Sequence, residues 1–148
     1  MRAEFPASFH AIVSLLVQTV LVTSGERMRC VIVDDNRNFL DAAVPLLEHQ
    51  GISVVAVATS LAEGLRCVAD LRPDVVLVDI NLGQESGFDL VELLHQDESA
   101  AAAVPTILIS THSEEDFADL ISASPALAFI PKAALSGAAI RDALGPAA

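Results

Sequence analysis

Four short apolar runs in this chain stop at polar side chains, and stretches of helical spacing separate them. Cys30-Val31-Ile32-Val33 ends at Asp34-Asp35, Val75-Val76-Leu77-Val78 at Asp79, and Thr106-Ile107-Leu108-Ile109 at Ser110-Thr111. Leu127-Ala128-Phe129-Ile130-Pro131 ends at Lys132, the only lysine in the chain. Strands that are apolar throughout, rather than alternating, suit a sheet buried on both faces. With helices between them, they predict right-handed βαβ crossovers and a parallel sheet covered on each side.

The elements can be placed more closely. Strands are expected at Arg29–Val33, Ile52–Ala58, Val75–Val78, Val104–Ser110 and Leu127–Ile130. Arg37–His49 has helical spacing at Leu40, Ala43, Val44 and Leu47 and ends at Gly51. Pro45 inside it should kink the helix or cut its early turn. Ser60 and Glu63 form a capping pattern opening a helix to Leu71, and Ser113 with Asp116 forms another opening a helix to about Ser122. Phe88–Gln96 is helical, with Leu90, Val91, Leu93 and Leu94 facing inward. The last helix runs from Leu135 to Leu144 and stops at Gly145-Pro146. Ala100–Ala103 reads as a connector. The expected fold is a flavodoxin-like α/β domain, (βα)5, with strand order 2-1-3-4-5. In that order the first and third strands flank the switch point, and Asp34, Asp35 and Asp79 converge there.

Composition narrows the function. The chain has 148 residues, one domain by the usual length prior. Hydrophobic residues make up 53%, enough for an aliphatic core with six Phe and no Trp or Tyr. A net charge of −12, with seven scattered arginines, disfavours direct nucleic-acid binding and anionic membranes. Cys30 and Cys67 are too few for a disulfide framework and read as reduced thiols in a cytoplasmic protein. Residues 1–27 differ from the rest. Their apolar stretch, Ala11–Val22, is short for a span, which needs about 20 residues. The economical reading makes Met28 the true start and 1–27 an extension. A helical appendage, or a signal or anchor segment, are the other readings.

The convergent edge has its own chemistry. At ~4 Å and an effective dielectric of 20, each pair of like charges repels by about 4 kcal/mol. A hard divalent cation is the natural neutraliser, and magnesium takes carboxylates, waters and phosphate oxygens. Each residue alone has a plain structural explanation: a turn for Asp34-Asp35, a strand end for Asp79, a cap for Ser110, a surface for Lys132. The combination is more specific than any member.

At these residues the chain resembles the receiver domain of two-component response regulators, from about Met28 to Leu144. The motifs are VIVDDN, VLVDINLGQESGFDL, Ser110 after the fourth run and Lys132 after the fifth. The resemblance implies that Asp79 takes a phosphoryl group from a histidine kinase or phosphotransfer protein. It implies magnesium held by Asp34, Asp35, Asp79 and the backbone carbonyl of Asn81. Ser110 and Lys132 would stabilise the phosphoryl group, and Ser110 with Phe129 would act as the switch. His112, two residues past Ser110, stands where side chains influence phosphate lifetime. The switched surface would be the fourth helix, fifth strand and fifth helix, used for a downstream protein partner or a homodimer.

The chain departs from that pattern in places. Leu82-Gly83 stands where Met-Pro is common, which predicts a more mobile loop. Lys132 is followed by Ala133 rather than Pro, which leaves the start of the last helix unspecified. Two further readings stay open: a receiver fragment of a DNA-binding regulator without its output domain, and a phosphorylation-independent interaction module. A magnesium phosphatase fits less well, because Asp79-Ile80-Asn81 lacks the second acid of a D-x-D pair. The chain is not expected to be an enzyme.

Overall fold

A computed structural model describes residues 27–96 and 104–145. The expected N-terminal extension, but for Arg27, and the Ala100–Ala103 connector lie outside them. The main sheet has five parallel strands: β1 (Met28–Val33), β2 (Ile52–Ala58), β3 (Val75–Asp79), β4 (Thr106–Ser110) and β5 (Ala128–Pro131), in the order β2-β1-β3-β4-β5. The expected winding is the one observed.

Side chains alternate along each strand, so the sheet has two apolar faces. Cys30, Ile32, Val75, Leu77, Ile107 and Ile109 face one way. They pack against Leu40, Ala43 and Leu47 of α1 (Arg37–His49) and Ile140 of α5 (Gly137–Leu144). Val31, Val33, Val76, Val78 and Leu108 face the other way. There they meet Val68 of α2 (Leu61–Leu71) and Leu90, Val91 and Leu94 of α3 (Gly87–Gln96). Leu93, expected to face inward, is 38% exposed, because the apolar stripe of α3 is filled by its neighbours at the i, i+1 and i+4 positions.

Several boundaries shift for local reasons. The helix α1 runs unbroken through Pro45, so its early turn is not cut. Pro45 and Asp41, whose carbonyl loses its partner to the proline, both lie on the exposed side, where water can satisfy the freed group. Ser60 caps α2 as expected: its Oγ accepts from the Glu63 N–H at 3.2 Å. The Glu63 carboxylate reaches back one residue further, to the Thr59 N–H.

Ser113 makes no side-chain cap. Its carbonyl accepts from the Asp116 N–H at 3.2 Å and starts a 3-10 turn, Glu114–Phe117, which leads into the short α4 (Ala118–Ala123). Neither piece buries a residue, and Leu120 is 54% exposed. The last helix begins later than Leu135. Lys132–Ala134 is a 3-10 turn, Leu135 is extended, and Ser136 caps α5 by accepting from the Ala139 N–H at 2.9 Å. Among the described residues, no helix is long and apolar enough to cross a membrane.

Candidate functional site

The carboxyl ends of β1, β3, β4 and β5 bring the sequence-predicted polar residues to one edge. Asp34 follows β1 and is fully buried, its N–H donating to the Ala58 carbonyl at 2.9 Å. Asp79 ends β3 and is 6% exposed. Asp35, beside them, is exposed. One carboxylate oxygen from each of Asp34, Asp35 and Asp79 lies within 4.8 Å of the other two. That spacing suits the oxygen ligands of a hard divalent cation.

Lys132 enters from the turn after β5 with its side chain only 7% exposed. Its Nζ is 2.8 Å from Asp34 Oδ2 and 3.3 Å from Asp79 Oδ2. The second contact is a hydrogen bond. The first lies outside hydrogen-bonding angles, so Asp34 Oδ2 is a buried oxygen balanced by charge alone. A buried carboxylate oxygen without a hydrogen bond is costly. This oxygen, without a hydrogen bond and on a residue grouped with two other carboxylates, fits a cation ligand. The other Asp34 oxygen, Oδ1, accepts from the Asn36 N–H at 2.8 Å.

The charges do not cancel: three carboxylates face one ammonium. Burial first, and then the Asp34 charge, push the Asp79 carboxyl up to about 6. Lys132 and the Asn81 N–H, which donates to Asp79 Oδ1 at 3.2 Å, oppose the rise. The residues around Asp79 are therefore short of positive charge, as a site that takes a cation must be.

Glycines hold the loop beyond Asp79 in place. Gly83 has φ +64°, a left-handed conformation that side chains disfavour, and a Cβ there would come within 3.3 Å of Asp35 Oδ2. Gly87 starts α3 so close to β3 that a Cβ would lie 2.0 Å from the Asp79 carbonyl oxygen. Its N–H donates to the Ile80 carbonyl at 2.7 Å. On either side of Gly83, Asn81–Leu82 and Glu85–Ser86 pair as a small antiparallel ladder. Glu85 also accepts from the Leu61 N–H at 2.9 Å, tying the loop to the start of α2. The loop expected to be more mobile is thus a clamped hairpin.

Ser110 is buried at the end of β4, paired with Pro131 of β5. Its Oγ accepts from the His112 N–H at 3.0 Å and lies 3.5 Å from His112 Nδ1. The His112 ring in turn stands edge-on to Phe117, ring centres 5.7 Å apart. Phe129 is half-buried on the sheet face that carries α2 and α3, in the same apolar cluster as Phe117. Lys132 thus touches Asp34 and Asp79, and Asp35 stands near them. Ser110 shares their edge with His112 against it, while Phe129 lies on β5 opposite Leu108.

Sequence reasoning missed Phe39. Its half-buried ring lies under the Lys132 ammonium, 4.3 Å from Nζ to the ring centre. No motif marks it, since the contact joins positions far apart in the chain.

The family model described as response regulator receiver domain matches residues 30–144. The chain is 30% identical over 114 residues to the sensor histidine kinase AtsR of Burkholderia thailandensis, covering 76% of this chain and 18% of that protein. It is 31% identical over 91 residues to a protein-glutamate methylesterase/protein-glutamine glutaminase of Geobacter sulfurreducens, covering 61% of this chain and 24% of that one. The chain therefore spans a quarter or less of the length of these two relatives. In fold it is similar to a CheY-like response regulator receiver domain protein of Methanospirillum hungatei, with TM-score 0.65, 24% identity, and 80% and 91% of the two chains covered.

Proposed function

The chain belongs to the response regulator receiver domain family, the phosphoacceptor module of two-component signalling, and on that premise we propose that Asp79 is its phosphoacceptor. The observation that carries this reading is the setting of the Asp79 carboxylate. It is nearly buried at the sheet edge, held by Lys132 and the Asn81 N–H, and flanked by Asp34 and Asp35.

Asp79 would attack the phosphorus of a phosphohistidine on a histidine kinase or phosphotransfer protein. The P–N bond breaks, an acyl phosphate forms on an Asp79 oxygen, and the imidazole leaves and is protonated. A carboxylate is a weak nucleophile, so positioning and charge stabilisation carry such a transfer. Asp34, Asp35, Asp79 and the Asn81 carbonyl would hold magnesium, which when bound neutralises phosphoryl oxygens. Lys132 is already in contact with Asp79 and pairs with the new charge. Ser110 turns its hydroxyl from His112 toward the phosphoryl group. That movement pulls on the His112–Phe117 contact and on the lightly packed α4, while Phe129 repacks beside it. His112, held between Ser110 and Phe117, sets how long the acyl phosphate lasts.

The output is a changed surface over α4, β5 and α5, offered to a downstream protein in the cytoplasm or to a second copy. The domain itself works by binding rather than by turnover. Incubation with magnesium and acetyl phosphate tests the reading. A receiver takes one phosphoryl group per chain and releases phosphate slowly. Many rapid turnovers would point to a phosphatase, and no adduct would point to a phosphorylation-independent module.

A further inference from the structure

The acidic edge and Lys132 close into a ring of contacts that passes through Phe39. Asp34 Oδ1 accepts from the Asn36 N–H at 2.8 Å. Asn36, the cap of α1, accepts on Oδ1 from the Phe39 N–H at 3.1 Å. The Phe39 ring carries the Lys132 ammonium on its face at 4.3 Å. Lys132 returns to Asp34 Oδ2 at 2.8 Å. The same cap that starts α1 therefore sets where the ring stands beneath the ammonium.

We propose that Phe39 is the positioning residue for Lys132, holding its ammonium at the phosphoryl site when Asp34 turns to a cation. The inference rests on the assignment of Asp79 as acceptor. Lys132 has three partners here, and two are carboxylates that a divalent cation would claim. An ammonium that loses Asp34 either follows it, and competes with the cation, or swings out to water. The aromatic face is the partner that stays. Its negative quadrupole attracts the ammonium, while it binds no metal and offers a phosphoryl group no competing charge. The contact is sheltered, with the Lys132 side chain 7% exposed and Phe39 packed against the core, so it is stronger than a surface pair.

The full chain can be tested with phenylalanine analogues and with its single lysine as a reporter. At saturating magnesium, Phe39→Tyr keeps the electron-rich face and labels Asp79 from acetyl phosphate within about twofold of wild type. Phe39→Leu and pentafluorophenylalanine at position 39 label about three- to thirty-fold more slowly, the range a sheltered cation–ring contact supports. Pentafluorophenylalanine keeps the ring and reverses its quadrupole, so packing alone does not produce that loss. In protein carrying 13C-lysine, the one lysine ε-methylene resonance lies upfield of a solvated lysine and moves toward that position in Phe39→Leu. Wild-type labelling rates in both slow variants, or a lysine resonance indifferent to the ring, would overturn the positioning role and leave Asp79 as acceptor. A folded wild type that takes no phosphoryl group would overturn the acceptor assignment, and the positioning role with it.

Discussion

Replacing Asp79 with asparagine should make the metal-free domain more stable. The folded structure raises this carboxyl from 3.8 to about 6, chiefly by burial and then by the Asp34 charge. The folded state thus binds the proton more tightly than the unfolded chain. For such a group, stability is greatest at low pH and falls as pH rises from the unfolded to the folded value. At 1.36 kcal/mol per pH unit, the ionised carboxylate costs the fold up to about 3 kcal/mol by pH 7. Asparagine is nearly isosteric and never ionises, so Asp79→Asn recovers most of that, about 1–3 kcal/mol. In a domain of this size the midpoint of thermal unfolding rises by up to about 10 °C. Thermal or urea unfolding in EDTA, at pH 7 and again at pH 4, measures the difference. The advantage should be near its full size at pH 7 and mostly gone at pH 4. Excess magnesium should reduce it, because the wild type gains more from a bound cation than the variant does. If Asp79→Asn is less stable than wild type at pH 7 in EDTA, or if the difference is the same at both pH values, the electrostatic account of the site is wrong.

Two other outcomes follow from packing. Gly87→Ala places a Cβ against the Asp79 carbonyl, so α3 must move away from β3. The loss should be about 1–3 kcal/mol or more in urea unfolding, with slower phosphoryl labelling as the hairpin shifts. The Cys30 thiol is pushed up to about 12 by burial, whereas Cys67 is raised and partly exposed. Ellman's reagent at pH 8 should therefore modify Cys67 in the native domain and reach Cys30 only after unfolding.

The sheet was legible in the sequence because its strands are apolar on both sides, a pattern that few other structures produce. The acidic pair, Asp79 and Lys132 were legible because each ends such a strand, and parallel winding carries strand ends to one edge. Packing and short-range competition decided the rest. Ser113 matches a capping pattern, yet its backbone carbonyl starts a 3-10 turn instead. Leu135 matches helical spacing, yet Ser136 supplies the cap and moves the start of α5. Leu82-Gly83 suggested a looser loop, but a short ladder closes around it, and Glu85 accepts from the distant Leu61 N–H, a contact made across the fold where no local pattern records it. Phe39 was hidden for the same reason.

The most direct test of the central claim is the intact mass of the full chain after incubation with magnesium and acetyl phosphate, for wild type and Asp79→Asn side by side. Wild type should gain a single phosphoryl group that is labile to mild base, dependent on magnesium and absent from Asp79→Asn. A folded wild type that stays unmodified, or an Asp79→Asn variant that is labelled equally well, would contradict it.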